Sequence, residues 1–257
     1  MGTIPRVYTR RGLTCAGNLF YDRLSSLRLP DFVCAGAQKS GTTWLYTQLS
    51  RHPQVFMPRK ELNVFSHDLP LSRYTEEFRG AAEEQRCGDI SPGYAAFVGL
   101  AERIYRTCPN ALILHLLRNP VERAFSQWKM ARHLGNIAYE MPFIEAFRDN
   151  LQYMRRRGEY SAIVEEYAVF YPLGERLAVF WYDDIKSRPM ELMRELMTFL
   201  HVDTEWESPS LHCVVAPNPD DSIISTRDAV EVAAYYEPFD RQLRSLLGIA
   251  SLPWSTT

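Results

Sequence analysis

From residue 31 onward, short apolar runs of strand length alternate with longer stretches whose apolar positions recur at helical spacing. The clearest runs are FVCAG at 32–36, ALILHLL at 111–117 and LAVFW at 177–181, each followed by polar turn residues. The spacing predicts helices over 42–50, stopped by Arg51-His52-Pro53; over 121–133, begun after Asn119-Pro120; and over 190–200 and 229–247. Strand, turn and helix in this repeated order predict an α/β protein with a central parallel sheet flanked by helices, whose ligands lie beyond the carboxyl ends of the strands. Residues 1–30 read as an irregular lead-in and 31–257 as one domain, since no repeat, low-complexity tract or Gly/Ser/Pro-rich linker divides them.

Composition narrows the function. With 257 residues and 46% hydrophobic content, there is ample material for a buried core. A formal net charge of −2 provides no global basic field, which argues against nucleic acid polymers or a bare anionic membrane as the main partner. Any anion must therefore be held by a local cluster. The N-terminal residues lack the apolar run of a signal peptide, and no stretch approaches the roughly 18 apolar residues of a membrane span, so the expectation is a soluble, cytoplasmic protein. The five cysteines, at 15, 34, 87, 108 and 213, are scattered without a C-x-x-C pair, and are expected to be reduced and mostly buried.

The segment GAQKSGTT, residues 36–43, nearly matches the phosphate-binding loop G-x-x-x-x-G-K-[ST]. Gly36 and Gly41 have the right spacing, but Thr42 stands where the lysine belongs and Lys39 has moved into the loop. A helix N-terminus offers unpaired N–H groups and the positive end of the macrodipole, so residues 39–43 form a ready anion cradle. A magnesium-dependent nucleotidase would also need an acidic residue at a neighbouring strand end. The run at 111–117 is instead followed by Arg118, which implies a second anion there and no metal between the two. Taken bare, the loop is either this cradle or a tight turn with a solvated lysine. Arg118 is either an anion fork or the partner of a helix-start salt bridge, and Ser126 is either a hydroxyl donor or a surface serine.

Together QKSGTTWL and LRNPVERAFSQW (residues 117–128) resemble the sulfotransferases that use 3′-phosphoadenosine-5′-phosphosulfate. The resemblance implies that Lys39, Ser40, Gly41, Thr42 and Thr43 bind the 5′-phosphosulfate, and that Arg118 and Ser126 bind the 3′-phosphate. It makes Trp44 either a stacking partner for adenine or a core tryptophan, and it leaves 3′,5′-adenosine bisphosphate as product with no metal required. The branch containing the heparan-sulfate enzymes is the nearer one, through PRKELNVFSHD at 58–68, GDISPGY at 88–94, VFWYDDIKSRP at 179–189 and YYEPFDRQLRSLLG at 235–248. Its basic, cysteine-containing closing loop is not visible; HCVVAPNPDDSIISTRDAVE stands in that region, with Arg227 as its one cation.

Within that resemblance Glu61 falls where the branch carries its general base, with a surface glutamate as the bland alternative. His67 is the substitute base, and Asp89, Ser91 and Tyr94 are weaker candidates for the acceptor pocket. Lys60 would pair with Glu61, meet an acidic acceptor or remain solvated. His115, inside an apolar strand, reads as a satisfied core histidine. RRRGEY at 155–160 is the strongest local positive charge and reads as a solvated helix end or a guide for an acidic substrate. The expected activity is sulfuryl transfer to a hydroxyl of a small-molecule, lipid, glycolipid-like or carbohydrate-like acceptor, a secondary metabolite among them. The alternatives are an ATP- and magnesium-dependent kinase on the same scaffold, or a non-catalytic nucleotide-binding protein. Oligomeric state and the choice between oxygen and nitrogen as nucleophile stay open.

Overall fold

The computed structural model describes residues 28–212 and 220–254. Within them a sheet of parallel strands is built from β1 (Phe32–Gly36), β2 (Val55–Phe56), β3 (Arg86–Ile90), β4 (Leu112–Leu117) and β5 (Leu177–Trp181), in the spatial order β2-β3-β1-β4-β5. The expected α/β fold with a central parallel sheet is borne out. Most of the lead-in and the cysteines at 15 and 213 lie outside the described residues, while Cys34, Cys87 and Cys108 are buried free thiols.

Because β1 and β4 are central, both of their faces are covered, and this explains why their sequences read as unbroken apolar runs. Val33, Ala35, Ile113 and Leu117 point into one layer, with Ile104 of α3 (Leu100–Thr107), Ile163 and Tyr167 of α6 (Tyr160–Ala168), and Leu243 of α9 (Thr226–Leu247). Phe32, Cys34, Leu112, Leu114 and Leu116 point into the other, against Leu45 and Leu49 of α1 (Thr42–Leu49) and Leu192 and Leu196 of α8 (Pro189–Leu200). A third apolar cluster joins Trp128 of α4 (Pro120–His133) to Phe143 and Phe147 of α5 (Phe143–Arg148) and Tyr236 of α9.

Sequence patterning locates three of the five strands and misses β2 and β3. β2 has only two residues, and β3 reads RCGDI, whose glycine and aspartate are poor strand formers. Gly88 is required there because a Cβ would fall 2.1 Å from the Phe32 ring. Also unforeseen are α2 (Leu71–Glu77), α3, α5, α6 and the short α7 (Asp184–Ser187). α9 begins three residues earlier than its apolar pattern, because the Ser225 side chain caps it by accepting from Asp228 N. His115 is a core histidine but not a satisfied one: neither ring nitrogen has a hydrogen-bond partner, and the ring packs edge-on to Tyr167 at 4.9 Å. Burial pushes its pKa down to about 4, so it is neutral.

Candidate active site

The two strand-to-helix turns after β1 and β4 open side by side, since those strands are neighbours in the sheet. In the first, Lys39 (φ 71°) and Gly41 (φ 88°) adopt left-handed backbone, and Gly41 occupies the N-cap of α1. A side chain at Gly41 would be strained by that φ and would meet Ile185 Cδ1 at 2.4 Å. No side chain caps α1 and its first turn holds no acid, so the positive helix end faces the loop uncompensated.

Lys39 Nζ meets the Met130 sulfur at 3.6 Å, and no carboxylate pairs with it among the described residues. Burial, then the charges of Lys60 and Arg118, hold its pKa below the ordinary lysine value. Such a lysine lacks an anion.

In the second turn Asn119 caps α4, its Oδ1 accepting from Val121 N at 2.9 Å and Glu122 N at 3.4 Å, while Pro120 begins the helix. Arg118 projects from the strand end. Its guanidinium donates to Glu122 Oε2 at 2.7 and 3.1 Å and to the Lys39 carbonyl at 3.4 Å, and it lies 4.5 Å from the centre of the Tyr182 ring. The backbone of this turn is tied down by Tyr160, whose hydroxyl donates to the Arg118 carbonyl at 2.8 Å.

A cavity of about 830 Å³ spans both turns. It brings together Lys39, Gly41, Thr42, Thr43, Trp44, Glu61, Arg118 and Ser126 from segments far apart in the chain. Ser40 lies just beneath, fully buried. Trp44 serves two purposes: it lines the cavity, yet it is only 4% exposed and its indole N–H donates to the Leu211 carbonyl at 3.0 Å. Glu61 is ion-paired with Lys60 at the cavity wall. Lys60, Lys129, Arg157 and Lys186 join Lys39 and Arg118 there, against only Glu61 and Glu122 among the lining carboxylates, so the cavity is strongly electropositive.

His67, Asp89 and Tyr94 are not brought to this cavity. His67 is solvent-exposed on the loop beyond Glu61. Asp89 is wholly buried inside β3, and accepts from Tyr74 and Tyr94 hydroxyls at 2.9 Å each and from Ser91 Oγ at 2.6 Å. Burial raises its pKa, and those three donors oppose the rise. The GDISPGY segment therefore works from behind the wall. Ser91 Oγ accepts from Asn63 N at 3.0 Å and Ile90 O accepts from Glu61 N at 2.9 Å, which pins the turn carrying Glu61, where Glu61 and Asn63 both have positive φ.

Sequence reasoning missed Gln38, Lys129, Tyr182 and Lys186 as lining residues. All four lie in or directly beside segments that carry the resemblance, Gln38 in QKSGTTWL, Lys129 just after LRNPVERAFSQW, and Tyr182 and Lys186 in VFWYDDIKSRP, but nothing in the sequence shows that they face one cavity. Arg157 carried a signal in the run of three arginines, without an indication of which arginine turns inward. Residues 213–219 of the region expected to hold a closing loop lie outside the described residues. Among the described residues no group of three or more His, Cys, Asp and Glu side chains is arranged to hold a metal ion.

The model of the sulfotransferase domain matches residues 29–215, which contain both turns, Glu61 and Arg157. The chain belongs to the sulfotransferase-domain family. It is 33% identical over 108 residues to the membrane-associated sulfotransferase kil1 of Dictyostelium discoideum, covering 40% of this chain and 23% of that protein. It is 25% identical over 207 residues to the bifunctional heparan sulfate N-deacetylase/N-sulfotransferase of Drosophila melanogaster, covering 68% of this chain and 20% of that one. The chain thus spans only about a fifth to a quarter of the length of these curated relatives. Among solved structures, a sulfotransferase from Alicyclobacillus acidocaldarius superposes with a TM-score of 0.74 at 27% identity, over 87% of this chain and 97% of that one. The resemblance to the sulfotransferase family, near its heparan-sulfate branch, is borne out. Among the described residues no helix is long and apolar enough to cross a membrane.

Proposed function

We propose that the chain moves a sulfuryl group from 3′-phosphoadenosine-5′-phosphosulfate to a hydroxyl of a small-molecule, lipid or carbohydrate-like acceptor. The observation that carries this reading is the pairing of an uncapped helix N-terminus and an unpaired Lys39 with Arg118 one strand away, in a single electropositive cavity. The residues fit a ligand with two separated anions: the α1 N-terminus with Thr42, Thr43 and Lys39 suits a phosphosulfate, and Arg118 with Ser126 suits the 3′-phosphate. Trp44 offers an aromatic surface in the same cavity for the base.

In-line transfer needs a positioned nucleophile and a stabilised leaving oxygen, with little covalent help from the protein. Glu61 takes the acceptor hydroxyl's proton as a new S–O bond forms. Lys39 neutralises the charge that collects on the bisphosphate oxygen as the old S–O bond breaks. Lys60, paired with Glu61, orients that carboxylate. The heparan sulfate in the name of the Drosophila relative supports a carbohydrate-like acceptor.

The test is a thermal unfolding scan with 3′,5′-adenosine bisphosphate, run against ATP plus magnesium. At about 100 times its dissociation constant the bisphosphate is expected to raise the midpoint by roughly 5 to 10 °C, and Lys39→Ala to shrink that rise. A larger shift with ATP and magnesium, or none with the bisphosphate, sinks the reading in favour of a kinase. Once an acceptor is found, Glu61→Gln is expected to lower kcat by about 10²- to 10⁴-fold with bisphosphate binding intact.

A further inference from the structure

The Arg118 carbonyl belongs to neither of the elements beside it. Pairing of β4 with β5 ends at Leu117 and Trp181, and α4 makes its first backbone bond from Arg123 N to the Asn119 carbonyl at 2.9 Å. The Arg118 carbonyl is held instead by the Tyr160 hydroxyl, which donates to it at 2.8 Å from 42 residues away. Tyr160 opens α6 and is only 1% exposed, with its ring edge-on to Trp254 at 5.9 Å. Trp254 is fixed in turn by its indole N–H, which donates to Asp240 Oδ2 at 2.8 Å. Burial raises the pKa of Tyr160, so the hydroxyl remains a donor, and Ser40 is among the neighbours that oppose the rise. Ser40 belongs to the first turn, where it is fully buried and its hydroxyl has no hydrogen-bond partner. The Tyr160 hydroxyl thus stands between the two turns, bonded to the second and adjoining the first.

Packing alone does not require that hydroxyl. A phenylalanine would fill nearly the same volume, and a buried hydroxyl is costly unless it makes a hydrogen bond. What the bond fixes is the backbone from which the Arg118 guanidinium projects, and so the distance between the two anion sites. A nucleotide is a short link between its two phosphates, so the second phosphate adds its full affinity only where the sites match that span. We propose that Tyr160 is a positioning residue that sets the spacing between the Lys39 loop and Arg118, and so decides how strongly the chain prefers a nucleotide bearing a 3′-phosphate to one without it. This rests on the sulfotransferase reading of the same cavity. Tyr160 is not among the residues that line that cavity, so it acts through Arg118 and not on the ligand.

Titration calorimetry with 3′,5′-adenosine bisphosphate and with adenosine 5′-monophosphate gives a ratio of affinities, which is the worth of the 3′-phosphate. In the wild-type protein that ratio is expected to be about 10- to 100-fold, the range of the charge-assisted hydrogen bonds of one arginine. Tyr160→Phe is expected to cut the ratio about three- to tenfold while leaving the monophosphate affinity within about twofold of wild type. In an Arg118→Ala background the same substitution is expected to change nothing further, because the group it positions is gone. A residue that merely braced the fold would weaken both nucleotides alike in either background. Should Tyr160→Phe fail to fold, Trp254→Phe, which removes the bond to Asp240 and keeps a ring beside Tyr160, is expected to cut the ratio about two- to threefold with the monophosphate affinity unchanged, and an unchanged ratio there overturns the proposal. It is also overturned if the ratio survives in Tyr160→Phe, if both nucleotides weaken equally, or if the effects of Tyr160→Phe and Arg118→Ala multiply. A wild-type ratio near one sinks the donor assignment and the proposal with it, whereas a large wild-type ratio that survives in Tyr160→Phe sinks the proposal alone.

Discussion

The turns after β1 and β4 are built from the same elements and do opposite things with a helix N-terminus. After β1 the helix begins on Gly41 with no side-chain cap and no acid in its first turn. After β4 it begins on Asn119, which occupies the first N–H groups itself, with Glu122 placed one turn in. The first turn keeps its backbone donors for a ligand, and the second has spent them on its own stability. Any anion bound by the second turn must be bound by side chains, and Arg118 is the side chain provided. Its ion pair with Glu122 at 2.7 Å then becomes a placeholder that an incoming phosphate would displace.

The difference is open to direct test. The largest expected effect is at the open turn: Lys39→Ala lowers the rate of transfer by about 10²- to 10³-fold, the scale of losing one preorganised contact to a developing negative charge. Single-turnover kinetics with the donor measure it. At the capped turn, Arg118→Ala is expected to weaken bisphosphate binding roughly 10- to 100-fold, the worth of its charge-assisted hydrogen bonds, as titration calorimetry would read. If Arg118→Ala leaves affinity unchanged while Glu122→Ala raises it, Arg118 serves the fold and not the ligand.

Two backbone substitutions then separate stability from binding. Asn119→Ala removes the cap and is expected to cost about 1 kcal/mol of stability with bisphosphate affinity unchanged. Gly41→Ala should cost about as much through its positive φ, and should also weaken bisphosphate binding, since the added methyl meets Ile185 and disturbs the cradle. Equal effects of the two on binding would erase the distinction between the turns.

The smallest effect at neutral pH comes from titration of Lys39. Its pKa is lowered in the fold, so between that value and the ordinary 10.5 the unfolded chain binds more protons, and the free protein gains stability from this group as pH rises. A bound bisphosphate favours the protonated form and reverses the shift. Bisphosphate affinity is therefore expected to fall as pH climbs through the lowered Lys39 pKa, and to stay flat over that window in Lys39→Arg. A Lys39→Arg variant with the wild-type slope would assign the proton to another group.

Much of the donor side was legible because it is local. A strand, a glycine-framed loop and a helix lie within about twenty residues, and Arg118 to Ser126 within nine, so each half is legible along the chain, while the pairing of β1 with β4 brings the two halves together. Glu61 was singled out by resemblance and not by pattern, and the structure places it in the lining of the cavity. Its turn is held by Ile90, the last residue of a strand too polar to be read as one, and by Ser91 just beyond it. Asp89 and Tyr94 were pocket candidates through the same resemblance, and only the packing of Tyr74 and Tyr94 around Asp89 shows them sealed inside.

By itself, then, the sequence determined the features that periodicity and spacing along the chain dictate: a parallel sheet, two strand-to-helix turns at its carboxyl edge, and the residues in them. Tertiary structure alone decided which cations share a cavity, that Lys39 forms no ion pair among the described residues, that GDISPGY braces the wall, and that of three adjacent arginines only Arg157 lines the cavity. The reason is physical. Charge pairing and burial depend on distances between segments a hundred residues apart, and a chain's local pattern says nothing about which of its solvated charges folding will deprive of water.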